Sequence, residues 1–185
     1  VPPPNCGDGN VDLDEGDYLI GVAITDGEYD VMLFSDSGKA VRFAEEDVRP
    51  MGREARGVRG MMLDPAQSVI GMVVAKGEEE SVLTATGDGF GKRTAIAEYT
   101  RHGRGTKGMI AIQASDRNGK LIGAVLVSDS DELMLISTGG VLIRTLVQDI
   151  REMGRSTQGV TLINLDDGTK LAGMEKIIET DEEQE

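Results

Sequence analysis

The sequence predicts an all-β protein built from propeller-like repeats of four short strands. Short apolar runs bounded by glycine and aspartate recur along the chain, which is typical of strands rather than helices. Glycine supplies 25 of the 185 residues, and aromatic residues make up only 3%. Five positions also recur three times at one fixed spacing, which indicates a repeat architecture.

The repeat has a spacing of 51 residues and shows no gap within its window. Its members are two turn or loop glycines, one strand arginine and a Gly-Arg pair: Gly38, Gly89 and Gly140; Arg42, Arg93 and Arg144; Gly52, Gly103 and Gly154; Arg53, Arg104 and Arg155; Gly57, Gly108 and Gly159. Fifteen matches in register make this the strongest signal in the sequence.

Each repeat contains four apolar runs, which in the first unit are "LIGVAI", "VMLF", "AVRF" and "VRGMML". Hairpin turns between the second and third strands are predicted at "SDSGK", "TGDGFGK" and "STGG". We expect positive φ at the turn glycines Gly38, Gly89 and Gly140. Four strands in about 50 residues is the size of a propeller blade.

The units follow one another along most of the chain. We predict the end of an upstream blade and an acidic loop in residues 1–16, then units at 17–66, 67–116 and 117–166. A closing strand follows at 167–178 and an acidic tail at 179–185. The run "KLAGMEKI" resembles the first strand of a unit without the rest. We expect it to pair with an earlier or neighbouring blade, because an unpaired apolar strand invites aggregation.

The basic charge follows the repeat, although the whole chain has a net charge of −14. Three segments hold 13 of the 19 Lys and Arg but only 7 of the 33 Asp and Glu: residues 42–59, 92–107 and 144–158. These segments therefore carry +6 and the remainder −20. In a stack or ring of blades, equivalent loops lie along one rim.

Two interpretations of the repeated arginines remain open. The strand residues Arg42, Arg93 and Arg144 could form structural pairs with neighbouring carboxylates. The loop residues are better suited to phosphates, because arginine binds phosphate bidentately and glycine exposes backbone N–H groups. No interleaved aromatics and no recognition helix are predicted, so the expected ligand is duplex DNA backbone without sequence readout.

Little else in the sequence suggests chemistry. His102 is the only histidine and Cys6 the only cysteine, so neither a zinc site nor a nucleophile–histidine pair is expected. We expect no cofactor and no catalytic site. One cysteine fits a reducing compartment, and no apolar run approaches the roughly 18 residues of a membrane span. The expected location is the cytoplasm.

Four segments carry a resemblance to a known family: "DVMLFSDSGKAVRF", "SVLTATGDGFGKRTAIAEY", "RGTKGMIAI" and "GRSTQGV". With them, the chain resembles the C-terminal domain of the A subunit of bacterial DNA gyrase over about residues 17–178. The resemblance implies a propeller-like β-pinwheel whose blades exchange strands, with about three blades here where the family usually has six. It implies a non-catalytic domain of an ATP-dependent type IIA topoisomerase that wraps duplex DNA to support supercoiling, near the bacterial nucleoid. The implied protein partners are the remainder of gyrase A and, through it, gyrase B.

The predicted DNA-binding residues combine the basic segments with the family's DNA-contacting edge. They are Arg49, Arg53, Arg56, Arg59, Lys92, Arg93, Arg101, Arg104, Lys107, Arg151 and Arg155. The family's signature heptad, Gln-Arg-Arg-Gly-Gly-Lys-Gly, is absent, so the chain resembles the later blades. The alternatives are the C-terminal domain of the A-type subunit of topoisomerase IV and a propeller that binds an acidic protein.

Overall fold

Three antiparallel sheets stand side by side in the computed structural model, which describes residues 13–52 and 55–177. The strands are, in chain order, β1 (Asp30–Ser35), β2 (Lys39–Ala44), β3 (Val69–Ala75), β4 (Ser81–Thr86), β5 (Phe90–Ala95), β6 (Met109–Ile110), β7 (Leu121–Val127), β8 (Glu132–Ser137), β9 (Leu142–Leu146), β10 (Val160–Thr161) and β11 (Leu171–Ile177). Single-turn 3-10 helices follow β2, β5 and β9, at Glu45–Asp47, Ile96–Glu98 and Val147–Asp149.

Each sheet combines strands from two successive units, so a unit and a blade are not the same segment. Blade 1 has the order β3-β1-β2-β6, blade 2 the order β7-β4-β5-β10, and blade 3 the order β11-β8-β9. The hairpin of each blade comes from one unit, and the strands beside it, two in blades 1 and 2 and one in blade 3, come from the next. The predicted all-β class of repeated blades is confirmed, and neighbouring blades share strands.

The hairpin turns occur where the 51-residue spacing predicts them. Gly38, Gly89 and Gly140 have φ values of 79°, 82° and 80°. A Cβ atom on Gly38 would lie 2.3 Å from the carbonyl oxygen of Ile112. Glycine is therefore required at this turn by its backbone conformation and also by the close approach of the next unit.

The expectation for "KLAGMEKI" is confirmed, because this run forms β11 and pairs antiparallel with β8. Its side chains Leu171 and Met174 are buried in the core. In blades 1 and 2 the same place beside the hairpin is taken by β3 and β7.

Two predicted strands of the first unit are wrong. Residues 19–24, "LIGVAI", have no regular secondary structure, and Ile24 is 98% exposed. Residues 58–63, "VRGMML", form only an isolated bridge between Met61 and Thr106. The counterparts of both runs pair with a preceding blade, and the described part of the chain has no blade before the first.

The hydrophobic core lies mainly between blades. Phe34 and Tyr99 meet edge to face in the cluster that joins blades 1 and 2, with ring centroids 6.3 Å apart. Leu83 and Leu135 lie in the corresponding cluster between blades 2 and 3. Because each blade buries apolar side chains against the next, the orientation of successive blades is set by packing.

Candidate nucleic-acid interface

Three basic loops follow the single-turn helices, at residues 48–60 (described at 48–52 and 55–60), 99–108 and 150–159. The second and third loops connect their helices to the exchanged strands β6 and β10. Each of the last two loops runs along the outer strand of the preceding blade. The amide of His102 donates to the carbonyl of Arg42 at 2.8 Å, and that of Met153 to the carbonyl of Arg93 at 2.9 Å. These two bonds are 51 residues apart at both ends, so the repeat places equivalent loops at equivalent positions.

The basic loops also contact one another and the adjoining segments. The amide of Gly105 donates to the carbonyl of Gly60 at 2.6 Å, which joins the first loop to the second. The amide of Arg155 donates to the carboxylate of Glu98 at 3.0 Å, just before the second loop. The three basic loops therefore form one continuous series along the blades.

The strand arginine of blade 1, Arg42, has a structural environment. It is 5% exposed, and its Nε donates to Asp30 at 2.7 Å. Its Nη1 donates to the carbonyls of Ile96 and Tyr99, each at 3.0 Å, and its Nη2 pairs with Glu78 at 3.2 Å. Arg42 therefore attaches the next unit to blade 1, which agrees with the structural interpretation.

Arg93, a predicted DNA contact, occupies the equivalent place in blade 2. Its Nε donates to the carbonyl of Ile150 at 2.6 Å, its Nη1 pairs with Asp129, and its side chain is 13% exposed. Arg144 pairs with Glu132 and is 54% exposed. The Arg93 guanidinium therefore lies in the joint between units, as that of Arg42 does.

Lys92, also a predicted contact, is fully buried. Its Nζ donates to the carbonyls of Gly154 at 2.5 Å and Arg155 at 2.6 Å. Burial lowers the pKa of Lys92 to about 8, opposed by the Glu98 carboxylate and assisted by the Arg155 guanidinium. Its ammonium faces the inside of the third basic loop, where a duplex has no access in this conformation.

Arg104 and Arg155 each brace their loop against the unit before it. The Nη1 of Arg104 donates to the carbonyl of Arg59 at 3.3 Å, and that of Arg155 to the carbonyl of Ile110 at 3.0 Å. Arg104 also donates from Nε to the carbonyl of Asp47 at 3.0 Å. A guanidinium has five N–H donors, so these contacts leave donors for a further ligand.

Two other predicted contacts are exposed but paired with carboxylates. Arg101 is 59% exposed and pairs with Asp30 at 2.7 Å. Lys107 is 57% exposed and pairs with Asp64 at 2.6 Å, and its ammonium lowers the pKa of the Asp64 carboxyl. The Lys107–Asp64 pair is exposed at both partners and is therefore weak, so a phosphate can compete for this cation. Asp30 is only 4% exposed, so the carboxylate that pairs with Arg101 is buried. Arg53 lies outside the described residues, as do residues 1–12, with Cys6, and the predicted acidic tail.

Three loop arginines are exposed and have no side-chain partner among the described residues: Arg49, Arg59 and Arg151. Arg56 adds a fourth exposed guanidinium, whose nearest carboxylate oxygen, on Asp14, is 3.8 Å away. These four side chains are the ones the structure presents most openly to a ligand.

One exposed arginine beside the third basic loop was not predicted from the sequence. Arg117 donates to the side chain of Gln158 at 3.3 Å and lies over the ring of Phe90 at 5.1 Å. Its counterparts in the other units are Ala66 and Gly168, so the 51-residue repeat contains no signal for it.

Within residues 13–52 and 55–177, no group of three or more His, Cys, Asp and Glu side chains is arranged to hold a metal ion. No helix in those ranges is long and apolar enough to cross a membrane.

The chain is similar in sequence to the gyrase A proteins of several bacteria. The family model described as "DNA gyrase C-terminal domain, beta-propeller" matches residues 29–76, 80–128 and 131–177. The gyrase A protein of Pseudomonas aeruginosa is 52% identical over 90% of this chain and 18% of its own length. That of Escherichia coli is 46% identical over 95% of this chain and 20% of its own length. The chain thus spans about a fifth of the length of the curated relatives it matches.

Solved structures agree on the fold. A structure titled as the DNA gyrase A C-terminal domain superposes with a TM-score of 0.83 and 26% identity, covering 91% of this chain and 57% of that one. The C-terminal domain of a DNA topoisomerase IV gives 0.85 and 25%, covering 91% and 52%. The fold alone does not separate a gyrase A domain from a topoisomerase IV domain, whereas the sequence relatives above are gyrase A proteins. Family model, sequence and fold together show that this chain belongs to the DNA gyrase C-terminal domain family.

Proposed function

We propose that the chain binds the phosphates of duplex DNA along the basic loops and bends the duplex around the blades. The observation that carries this proposal is the series of exposed guanidinium groups in equivalent, contiguous loops. Arg49, Arg59 and Arg151 have no carboxylate partner among the described residues, although the chain as a whole has a net charge of −14.

The acidic charge of the rest of the chain favours a bound duplex that contacts only the basic loops. Outside the three basic segments the chain carries a net charge of −20, which repels phosphate. In this proposal the series of loops follows a curve around the blades, so a bent path is favoured, because a straight duplex would leave some of the loops without contacts. Bending costs about 1–6 kcal/mol for 40–90° in a short site, which additional phosphate contacts offset.

Binding in this proposal is independent of base sequence. No helix of the described residues is longer than three residues, so none can lie in the major groove as a recognition helix does. In the context of a complete gyrase A protein, the bent duplex would support supercoiling by the enzyme in the bacterial cytoplasm. The remainder of gyrase A and gyrase B are the partners of that context.

The test is the salt dependence of binding to a random-sequence duplex. Each phosphate contact contributes about −0.9 to the slope of log affinity against log salt. With roughly four to seven contacts, the slope of the unaltered chain should lie at about −4 to −6. Replacing Arg49, Arg59 and Arg151 by Ala should reduce its magnitude by about 2.7. Fluorescence anisotropy over a series of salt concentrations measures the slope.

A matched control removes the same charge elsewhere. Lys76, Lys120 and Lys170 are 51%, 73% and 61% exposed and lie outside the basic loops. Their replacement by Ala should leave the slope almost unchanged, and thermal melting should show that both variants fold. Equal slopes for the two triple variants would contradict the proposal and favour a partner other than DNA.

A further inference from the structure

Three successive carbonyl groups of the third basic loop face blade 2. They belong to residues 153–155, and we call residues 153–156 the amide turn. The carbonyl of Met153 accepts from Oγ1 of Thr94 at 2.8 Å. Nζ of Lys92 donates to the carbonyls of the next two residues, at 2.5 Å and 2.6 Å. Two buried side chains of β5 therefore set the direction of the amide turn.

The N–H groups of the amide turn point the other way. In a trans peptide the N–H lies opposite the C=O of the preceding residue, so the amides of Gly154, Arg155 and Ser156 are directed away from blade 2. The amide of Arg155 agrees with this direction, because it donates to the exposed carboxylate of Glu98 at 3.0 Å. Successive backbone N–H groups in a turn form a concave site that binds anions.

The carboxylate of Glu98 occupies this site. A Cβ atom on Gly154 would lie 3.5 Å and 3.9 Å from its two oxygens, so the carboxylate lies against that residue as well as accepting from Arg155. No described residue accepts a hydrogen bond from the amide of Gly154 or from that of Ser156. Two N–H donors therefore remain for a further ligand.

The second basic loop does not have this arrangement. The counterparts of Lys92 and Thr94 in blade 1 are Val41 and Phe43, apolar side chains that cannot donate a hydrogen bond. None of the described residues donates to the carbonyls of residues 102–104, which correspond to those of the amide turn. The amide turn is therefore specific to the third loop, and the two polar residues of β5 are the reason.

We propose that the amide turn binds a phosphate group of the duplex, and that the Glu98 carboxylate holds this site until DNA displaces it. The inference rests on the proposed function, since the duplex supplies the phosphate. A tetrahedral phosphate presents oxygens in several directions, so it can accept from amides that the planar carboxylate of Glu98 leaves unpaired.

The surroundings of the amide turn favour DNA as the source of the phosphate. Arg151, proposed above to contact the duplex, lies two residues before the turn in the same loop. The guanidinium of Arg155 retains free N–H donors beside the site. Because Glu98 belongs to the same chain and is always present, its carboxylate lowers the affinity of the loop for DNA.

Duplex binding tests the competition. Glu98→Gln removes the charge of the competitor and should raise the affinity for a random-sequence duplex by about fivefold or more. The gain should persist as the salt concentration rises, because the carboxylate accepts at 3.0 Å, well within the screening length of about 10 Å at 0.1 M salt. Fluorescence anisotropy measures both effects.

Asp149→Asn is the matched control. Asp149 has the repeat position of Glu98, is exposed, and makes no side-chain hydrogen bond within the described residues. Its replacement removes the same charge beside the same loop and should raise the affinity by less than about twofold, an effect that fades with salt. Thermal melting should show that both variants fold, and equal gains in affinity would overturn the proposal.

An NMR titration with inorganic phosphate tests the site without DNA. In the Glu98→Gln variant, the amide resonances of Gly154 and Ser156 should shift at a phosphate concentration about five times lower than in the unaltered chain. The amide of Gly103, at the repeat position of Gly154 in the second loop, is the internal control and should not respond at that concentration.

Equal midpoints in the two proteins, or equal responses of the two glycine amides, would overturn the proposal. The expected shifts in a chain that binds no duplex would instead support the phosphate site and contradict the proposed function.

Discussion

At the scale of single residues, Lys92 is a buried ammonium in the joint between blade 2 and the third basic loop. Its counterparts are Val41 and Ile143, so only this joint contains a buried lysine. Burial lowers its pKa from 10.5 to about 8 in the folded chain. Between those two values the unfolded chain binds a proton that the folded chain does not, so Lys92 makes the fold more stable as the pH rises.

Lys92→Met should remove this pH dependence. The two N–H groups of the neutral amine still serve both carbonyls above pH 8, whereas below pH 8 the fold must bury a charge. The free energy of unfolding of the unaltered chain should therefore rise by about 2–3 kcal/mol relative to the variant between pH 7 and pH 10.

Urea unfolding of both proteins at the two pH values measures this difference. The contributions of the other titrating groups to the free energy of unfolding cancel, because both proteins contain them. A difference that does not change with pH would show that the lysine is not desolvated.

At the scale of elements, the repeated glycine at the end of the second and third basic loops allows each of these loops to approach the preceding blade. Gly159 has a φ of 81°, and a Cβ there would lie 2.6 Å from the carbonyl oxygen of Gly91 in β5. Gly168 has nearly the same φ, 80°, but a Cβ would meet nothing within 4 Å. Substitutions at these two glycines therefore separate the cost of a left-handed backbone conformation from the cost of moving β10 away from β5.

Gly168→Ala should destabilise the fold by about 1 kcal/mol, the cost of a left-handed conformation for alanine. Gly159→Ala should cost about 3 kcal/mol or more, because β10 must also move away from β5. Thermal and urea unfolding measure both. Equal losses would mean that the loop relaxes without disturbing the strand pairing.

At the scale of the whole molecule, the series of blades depends on strands donated by the following unit. Blade 3 has a hairpin of its own but receives its third strand, β11, from the partial unit at the end of the described chain. Leu171 and Met174 of β11 are 3% and 7% exposed and pack in the cluster that joins blades 2 and 3.

Truncation after Asp166 should lower the melting temperature by about 10 °C or more. Loss of each large buried side chain costs about 2–5 kcal/mol, and 1 kcal/mol corresponds to about 2–4 °C in a chain of this size. Truncation after Ile177, which keeps β11, is the control and should melt like the full chain. A normal melt of the shorter chain would show that β11 does not stabilise blade 3.

The repeat, the all-β class, the hairpin turns and the family were all predictable from the amino-acid sequence alone. These properties depend on local chemistry: a left-handed turn selects glycine, and a strand selects short runs of Val, Ile and Leu. Gly38, Gly89 and Gly140 could be placed in turns for this reason. The closing strand β11 was predictable because it repeats the sequence of earlier first strands.

The blade that each strand joins and the accessibility of each cation became known only from the folded chain. Arg93 and Arg151 look alike in sequence, but Arg93 is bound by Asp129 and the carbonyl of Ile150, both far along the chain, whereas Arg151 is exposed. Similarly, "LIGVAI" has the sequence of a strand but has no neighbouring blade to pair with among the described residues. Strand pairing and burial depend on partners from other units, and those partners are brought together only when the blades pack.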